Sequence, residues 1–87
     1  MNNEFKILQR KESGGYYIIY NKQRITMHYI PKIIKKVTMD IFNIFHNNNG
    51  KIINSIKGRL IEFPTKEDAQ NAADFLCAKI VEEKLFE

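Results

Sequence analysis

The sequence predicts an α+β fold in the order βββα(ββ)α: an antiparallel sheet of four to five strands with two helices packed on one face. Three observations carry this. Residues 4–29 hold short β-branched and aromatic runs separated by turn signals. Residues 31–46 and 65–84 place apolar side chains at helical spacing. Residues 51–63 between them read as a hairpin. Two amphipathic helices need one face of a sheet to cover, so two layers are the simplest architecture.

The first strand, Phe5 to Lys11, alternates weakly and is broken by Ser13-Gly14-Gly15. Tyr16-Tyr17-Ile18-Ile19-Tyr20 is the densest β-forming run in the chain. Asn21-Lys22-Gln23 turns it into a third strand, Arg24 to Tyr29. Pro31 suits the first turn of a helix, where its missing N–H costs nothing. Ile33, Ile34, Val37, Ile41, Ile44 and Phe45 then line one side, and Lys32, Lys36, Asp40, Asn43 and Asn47 the other. The helix should end near His46, because Asn47-Asn48-Asn49-Gly50 tolerates the left-handed conformation of a helix cap. The second hairpin runs from Lys51 to Ile56 and from Arg59 to Phe63, turning at Lys57-Gly58. Thr65 caps the last helix, with Asp68 at the reciprocal position. Ala69, Ala72, Ala73, Leu76, Cys77 and Ile80 form its buried stripe.

A chain of 87 residues, 44% hydrophobic and 28% charged, fits a single domain over residues 1–87. Its core must be small, and a large active-site cleft is not expected. No apolar run reaches the roughly 20 residues of a membrane span, and the start lacks the pattern of a signal peptide. Cys77 is the only cysteine and His28 and His46 are the only histidines, which argues against a disulfide or a structural metal site. No phosphate-cradling glycine loop, nucleophile-and-base pairing or carboxylate dyad stands out. No cofactor is therefore expected, and the chain reads as a non-enzymatic cytoplasmic protein. Its 14 Ile, 11 Lys and 9 Asn are what AT-rich codons produce, pointing to a low-GC bacterium or its phage.

The net charge of +4 is unevenly divided. Residues 1–59 carry 11 Lys and Arg against 3 Asp and Glu, whereas residues 60–87 carry 3 against 7. The basic part is a candidate surface for phosphates or an acidic partner. If both turns of the meander are three-residue loops, Phe5, Ile7, Tyr17, Ile19, Ile25, Met27 and Tyr29 share the core face. Lys6, Leu8, Arg10, Tyr16, Ile18, Tyr20, Arg24, Thr26 and His28 then share the open one. Rings interleaved with cations suit single-stranded nucleic acid, and also a protein interface. A second candidate is Lys32, Lys35 and Lys36 in the first turns of the predicted helix. Cations are unfavourable there, but its free N–H groups and ammonium charges would together receive a phosphate or carboxylate. The candidate binding residues are thus Lys6, Arg10, Tyr16, Tyr20, Arg24, His28, Lys32, Lys35 and Lys36.

Lys57-Gly58-Arg59-Leu60-Ile61-Glu62-Phe63, followed by Thr65-Lys66-Glu67-Asp68-Ala69-Gln70-Asn71-Ala72, resembles the third strand and second helix of an RNA recognition motif. The strand is one residue shorter than in that family. Arg59, Leu60 and Ile61 stand where the family has stacking aromatics, and its last strand has no counterpart. The resemblance supports an α+β sandwich without assigning a family. The leading functional expectation is a regulatory module binding nucleic acid or a nucleoprotein through the basic amino-terminal surface. The alternative is a protein-binding inhibitor or adaptor, such as a phage or mobile-element anti-defence protein of the anti-CRISPR kind. A homodimer through the open sheet face is a third reading.

Overall fold

The computed structural model describes residues 5–55 and 58–85. Its elements are β1 (Phe5–Gln9), β2 (Tyr16–Tyr20), β3 (Gln23–Arg24), α1 (Ile30–Ile33), α2 (Met39–Asn47), β4 (Lys51–Ser55), β5 (Gly58–Phe63) and α3 (Lys66–Leu85). The expected α+β class is what the chain adopts: a five-stranded antiparallel sheet with helices packed against it. The sheet order is β1-β2-β5-β4, with β3 also on β2. Two strands share one edge of β2. Tyr16 and Tyr17 pair with Phe63 and Glu62 of β5, and Ile19 and Tyr20 pair with Arg24 and Gln23 of β3. The chain leaving β3 then bridges to β5 at Thr26 and Leu60, filling the gap where β2 and β5 diverge.

The strand faces differ from expectation in β2 alone. Gln9 opposes Tyr16 and Phe5 opposes Tyr20, and Arg10 and Gly15 continue the ladder through a 2.7 Å hydrogen bond. The first connection is therefore the four residues Lys11 to Gly14. The second is the two residues Asn21 and Lys22, whose positive φ angles of 49° and 69° are the mark of a type I′ turn. Both connections have an even number of residues, and the side-chain period of a strand is two. Each therefore inverts β2 relative to its neighbours, while β1 and β3 keep the parity expected of them. Ile18 and Tyr20 enter the core, with Phe5, Ile7 and Tyr16 packed against it. Tyr17 and Ile19 turn to the open face.

The single helix expected over 31–46 is broken. Ile34 (φ −127°, ψ 115°) ends α1 in extended conformation, and Thr38 (φ −122°, ψ 174°) precedes α2 in the same way. Ile33, Ile34, Val37 and Thr38 are β-branched and lose side-chain freedom in a helix, so the segment has little intrinsic reason to stay helical. Breaking it lets Ile34 join the core. The apolar stripe survives the break: Ile34, Ile41 and Phe45 are buried, whereas Lys32, Lys36, Asp40, Asn43 and Asn47 are exposed.

The end of α2 follows the expectation for its asparagines. Asn49 takes a positive φ of 64°, the Asn49 N–H donates to the His46 carbonyl and the Gly50 N–H to the Phe45 carbonyl. This is a Schellman cap. Gly50 lies so close to the Phe45 carbonyl and the Phe63 ring that a β-carbon would collide with both. In α3 the Asp68 N–H donates to the Thr65 hydroxyl at 3.0 Å, the expected cap. Ala69, Ala72, Ala73, Leu76 and Ile80 are buried. Cys77 is half-buried rather than a full member of the stripe. Among the described residues, no helix is long and apolar enough to cross a membrane.

Candidate nucleic-acid interface

The sheet face away from the helices carries Lys6 and Leu8 from β1, Tyr17 and Ile19 from β2, Arg24 from β3, Leu60 and Glu62 from β5, and Lys51, Ile53 and Ser55 from β4. A shallow trough of about 470 Å³ crosses it, lined by Gln9, Arg10, Lys11, Glu12, Tyr17, Arg24 and Ser55.

Arg10 is fixed from beneath. Its guanidinium lies 3.7 Å from the Glu62 carboxylate and 3.8 Å from that of Glu12. The Ser13 hydroxyl donates to Glu62 at 2.7 Å, and the Gly15 N–H in turn donates to the Ser13 oxygen at 3.2 Å. Glu62 reaches this position because residue 15 has no side chain: a β-carbon there would overlap the Glu62 carboxyl group. Arg24 reaches the trough from the other side of β2. Its guanidinium sits over the Tyr17 ring, 5.1 Å from the centroid. Among the described residues, no carboxylate stands within ion-pair distance of Arg24, Lys6 or Lys11. Cations therefore outnumber carboxylates on this face.

Eight of the nine candidate residues separate into three groups, and His28 stands apart. Lys6, Arg10 and Arg24 lie on the open face, as expected. Tyr16 and Tyr20 do not. Tyr20 is 5% exposed in the core, its ring 4.6 Å from that of Phe5, and Tyr16 packs half-buried against the same core. The stacking platform expected of them is not built, because β2 is inverted. His28 is exposed in the turn before α1, beside Gly58.

Lys32, Lys35 and Lys36 form the third group, on the helix layer. They do not crown a helix: Lys32 is in the last turn of α1, and Lys35 and Lys36 lie in a bend of the connection to α2. The anion receptor expected here exists in another form and is already filled. The Lys35 N–H donates to Glu83 Oε1 and the Lys36 N–H to Glu83 Oε2, each at 2.9 Å. The two backbone hydrogen bonds, that from Lys36 foremost, hold the Glu83 carboxyl below its usual pKa.

Sequence reasoning missed Tyr17, Lys11, Ser55 and the Glu62–Ser13 support. Turn length was the signal for Tyr17, since Asn21-Lys22 is a two-residue connection that inverts the strand. No group of three or more His, Cys, Asp or Glu placed to hold a metal occurs among the described residues. Comparison with protein-family models, curated proteins and solved structures finds no match for the chain.

Proposed function

We propose that this protein is a small non-enzymatic binding module of the cytoplasm that engages nucleic acid, free or within a nucleoprotein, through the open face of its sheet, in a regulatory role. One observation carries the reading: Arg10, Lys11 and Arg24 line one trough, with Lys6 on the same sheet face, and Glu62 and Ser13 hold Arg10 there. Like charges repel, so a cluster of cations opposed by too few carboxylates favours an anionic ligand. Guanidinium groups present a planar fork matched to phosphate oxygens.

The test is binding of a labelled mixed-sequence nucleic acid, followed by fluorescence anisotropy, to the wild type and to Arg10→Gln/Arg24→Gln. The double variant should keep its circular dichroism spectrum and bind at least about tenfold more weakly, since contacts to charged groups contribute about 1.5–3 kcal/mol each. Unchanged affinity would remove the trough from the account.

A second reading, a protein-binding inhibitor or adaptor such as an anti-defence protein, is favoured by the helix layer. Met39, Phe75 and Leu85 are 71%, 58% and 76% exposed there. Large apolar side chains left in water are characteristic anchors for a protein partner. Capture of a host protein that survives nuclease treatment, and is lost in Met39→Ser/Phe75→Ser, would favour this reading.

A further inference from the structure

We infer that the trough takes the phosphate rails of duplex nucleic acid rather than the bases of a single strand, a refinement that rests on the nucleic-acid reading above. Sequence-tolerant binding of single strands draws much of its energy from bases stacked on accessible rings. The exposed His28 imidazole lies beside Gly58 at the start of β5, and among the described residues the one phenylalanine or tyrosine ring on the open face is that of Tyr17. It is 9% exposed, and the Arg24 guanidinium covers it. Tyr16 and Tyr20, which stacking would have used, are turned to the helix side. A base could reach the Tyr17 ring only by displacing a charge that is itself suited to phosphate.

What the face does offer is separated cations. Lys6 and Arg10 are four residues apart on an extended chain, about 13 Å, and Arg24 is two strand spacings from β1, about 10 Å. These backbone separations are close to the width of the major groove, about 12 Å, one of the two grooves that part the phosphate rails of a duplex. Between the cations lie Leu8 and Ile19, which offer neither hydrogen bonds nor rings to a base. A surface that contacts phosphates alone also favours the polymer of higher charge density. Each neutralised phosphate contributes about 0.9 to the salt exponent on B-form DNA and about 0.7 on a single strand.

The experiment compares two fluorescein-labelled DNAs of one mixed sequence, a duplex of about 20 base pairs and its single strand, at a fixed salt concentration of about 0.1 M. It uses the full chain. The duplex should bind at least tenfold more tightly. Arg24→Gln should weaken duplex binding at least fivefold. Equal affinity for the two DNAs, or tighter binding of the single strand, overturns this inference and leaves the nucleic-acid reading standing. Failure of both DNAs to bind overturns that reading and this inference with it.

Discussion

Tyr17 and Tyr20 are three positions apart in one strand and do opposite jobs. Tyr20 packs in the core against Phe5, and its backbone carbonyl accepts a hydrogen bond from the Tyr29 hydroxyl at 3.3 Å. Tyr20→Ala should therefore cost about 3–5 kcal/mol of stability, the range for deleting a buried ring, read from the midpoint of urea unfolding. A cost below about 0.5 kcal/mol would be that of a surface residue and would restore the opposite strand register. Ile41 and Leu76, both buried, should each lose about 2–5 kcal/mol on change to Ala. Those two positions were legible from helical periodicity, which survives a broken helix because the stripe depends on spacing and not on continuity. The tyrosines were not legible in the same way. In a run as uniformly apolar as Tyr16 to Tyr20 neither parity is excluded by composition, and the lengths of two turns decide it.

Among the elements, the segment between α1 and α2 departs furthest from the pattern in the sequence. Pro31 and the isoleucine spacing begin a helix, but the β-branched residues and the extended Thr38 end it after one turn. The carboxylate of Glu83 then satisfies two backbone N–H groups that a continuous helix would have used internally. That partner lies 47 and 48 residues away, beyond the reach of any local pattern. Glu83 titrates below its unfolded value, so the clasp contributes stability above the ordinary glutamate pKa of about 4.3 and loses it as the pH falls through the lowered one. Glu83→Gln should unfold at lower urea than the wild type at neutral pH, and the gap should close on acidification. A gap that stays constant with pH would show that the carboxylate charge plays no part. Reversing Lys35 and Lys36 to Glu places like charges around Glu83 and should weaken the fold, rather than firm it as a helix N-terminus would. The β2–β3 turn offers a check of opposite sign. Lys22 adopts a left-handed conformation that glycine takes without steric cost, so Lys22→Gly should raise stability by about 0.5–1 kcal/mol in thermal or urea unfolding.

At the scale of the whole molecule, the open sheet face carries an excess of cations, whereas the helix layer holds both signs, Lys32, Lys35 and Lys36 among them. The open sheet face gathers cations from β1 and β3, and α3 carries Glu67, Asp68, Asp74, Glu82 and Glu83 on the other layer. The excess of cations before residue 60 foretold the first half of that arrangement. Lys6, Arg10 and Arg24 could be placed together because two parity inversions cancel between β1 and β3. The Glu62–Ser13 support under Arg10 depends on a pairing across 49 residues and on the missing side chain of Gly15, neither of which a local reading supplies. The central claim, that this face binds phosphates, is tested most directly by the salt dependence of duplex affinity in the wild type and in Arg10→Gln/Arg24→Gln. The logarithm of the association constant should fall steeply with the logarithm of salt concentration. The variant's slope should be shallower by about 1.8, the release associated with two phosphate contacts. A wild-type affinity indifferent to salt, or identical slopes for both proteins, would contradict the account.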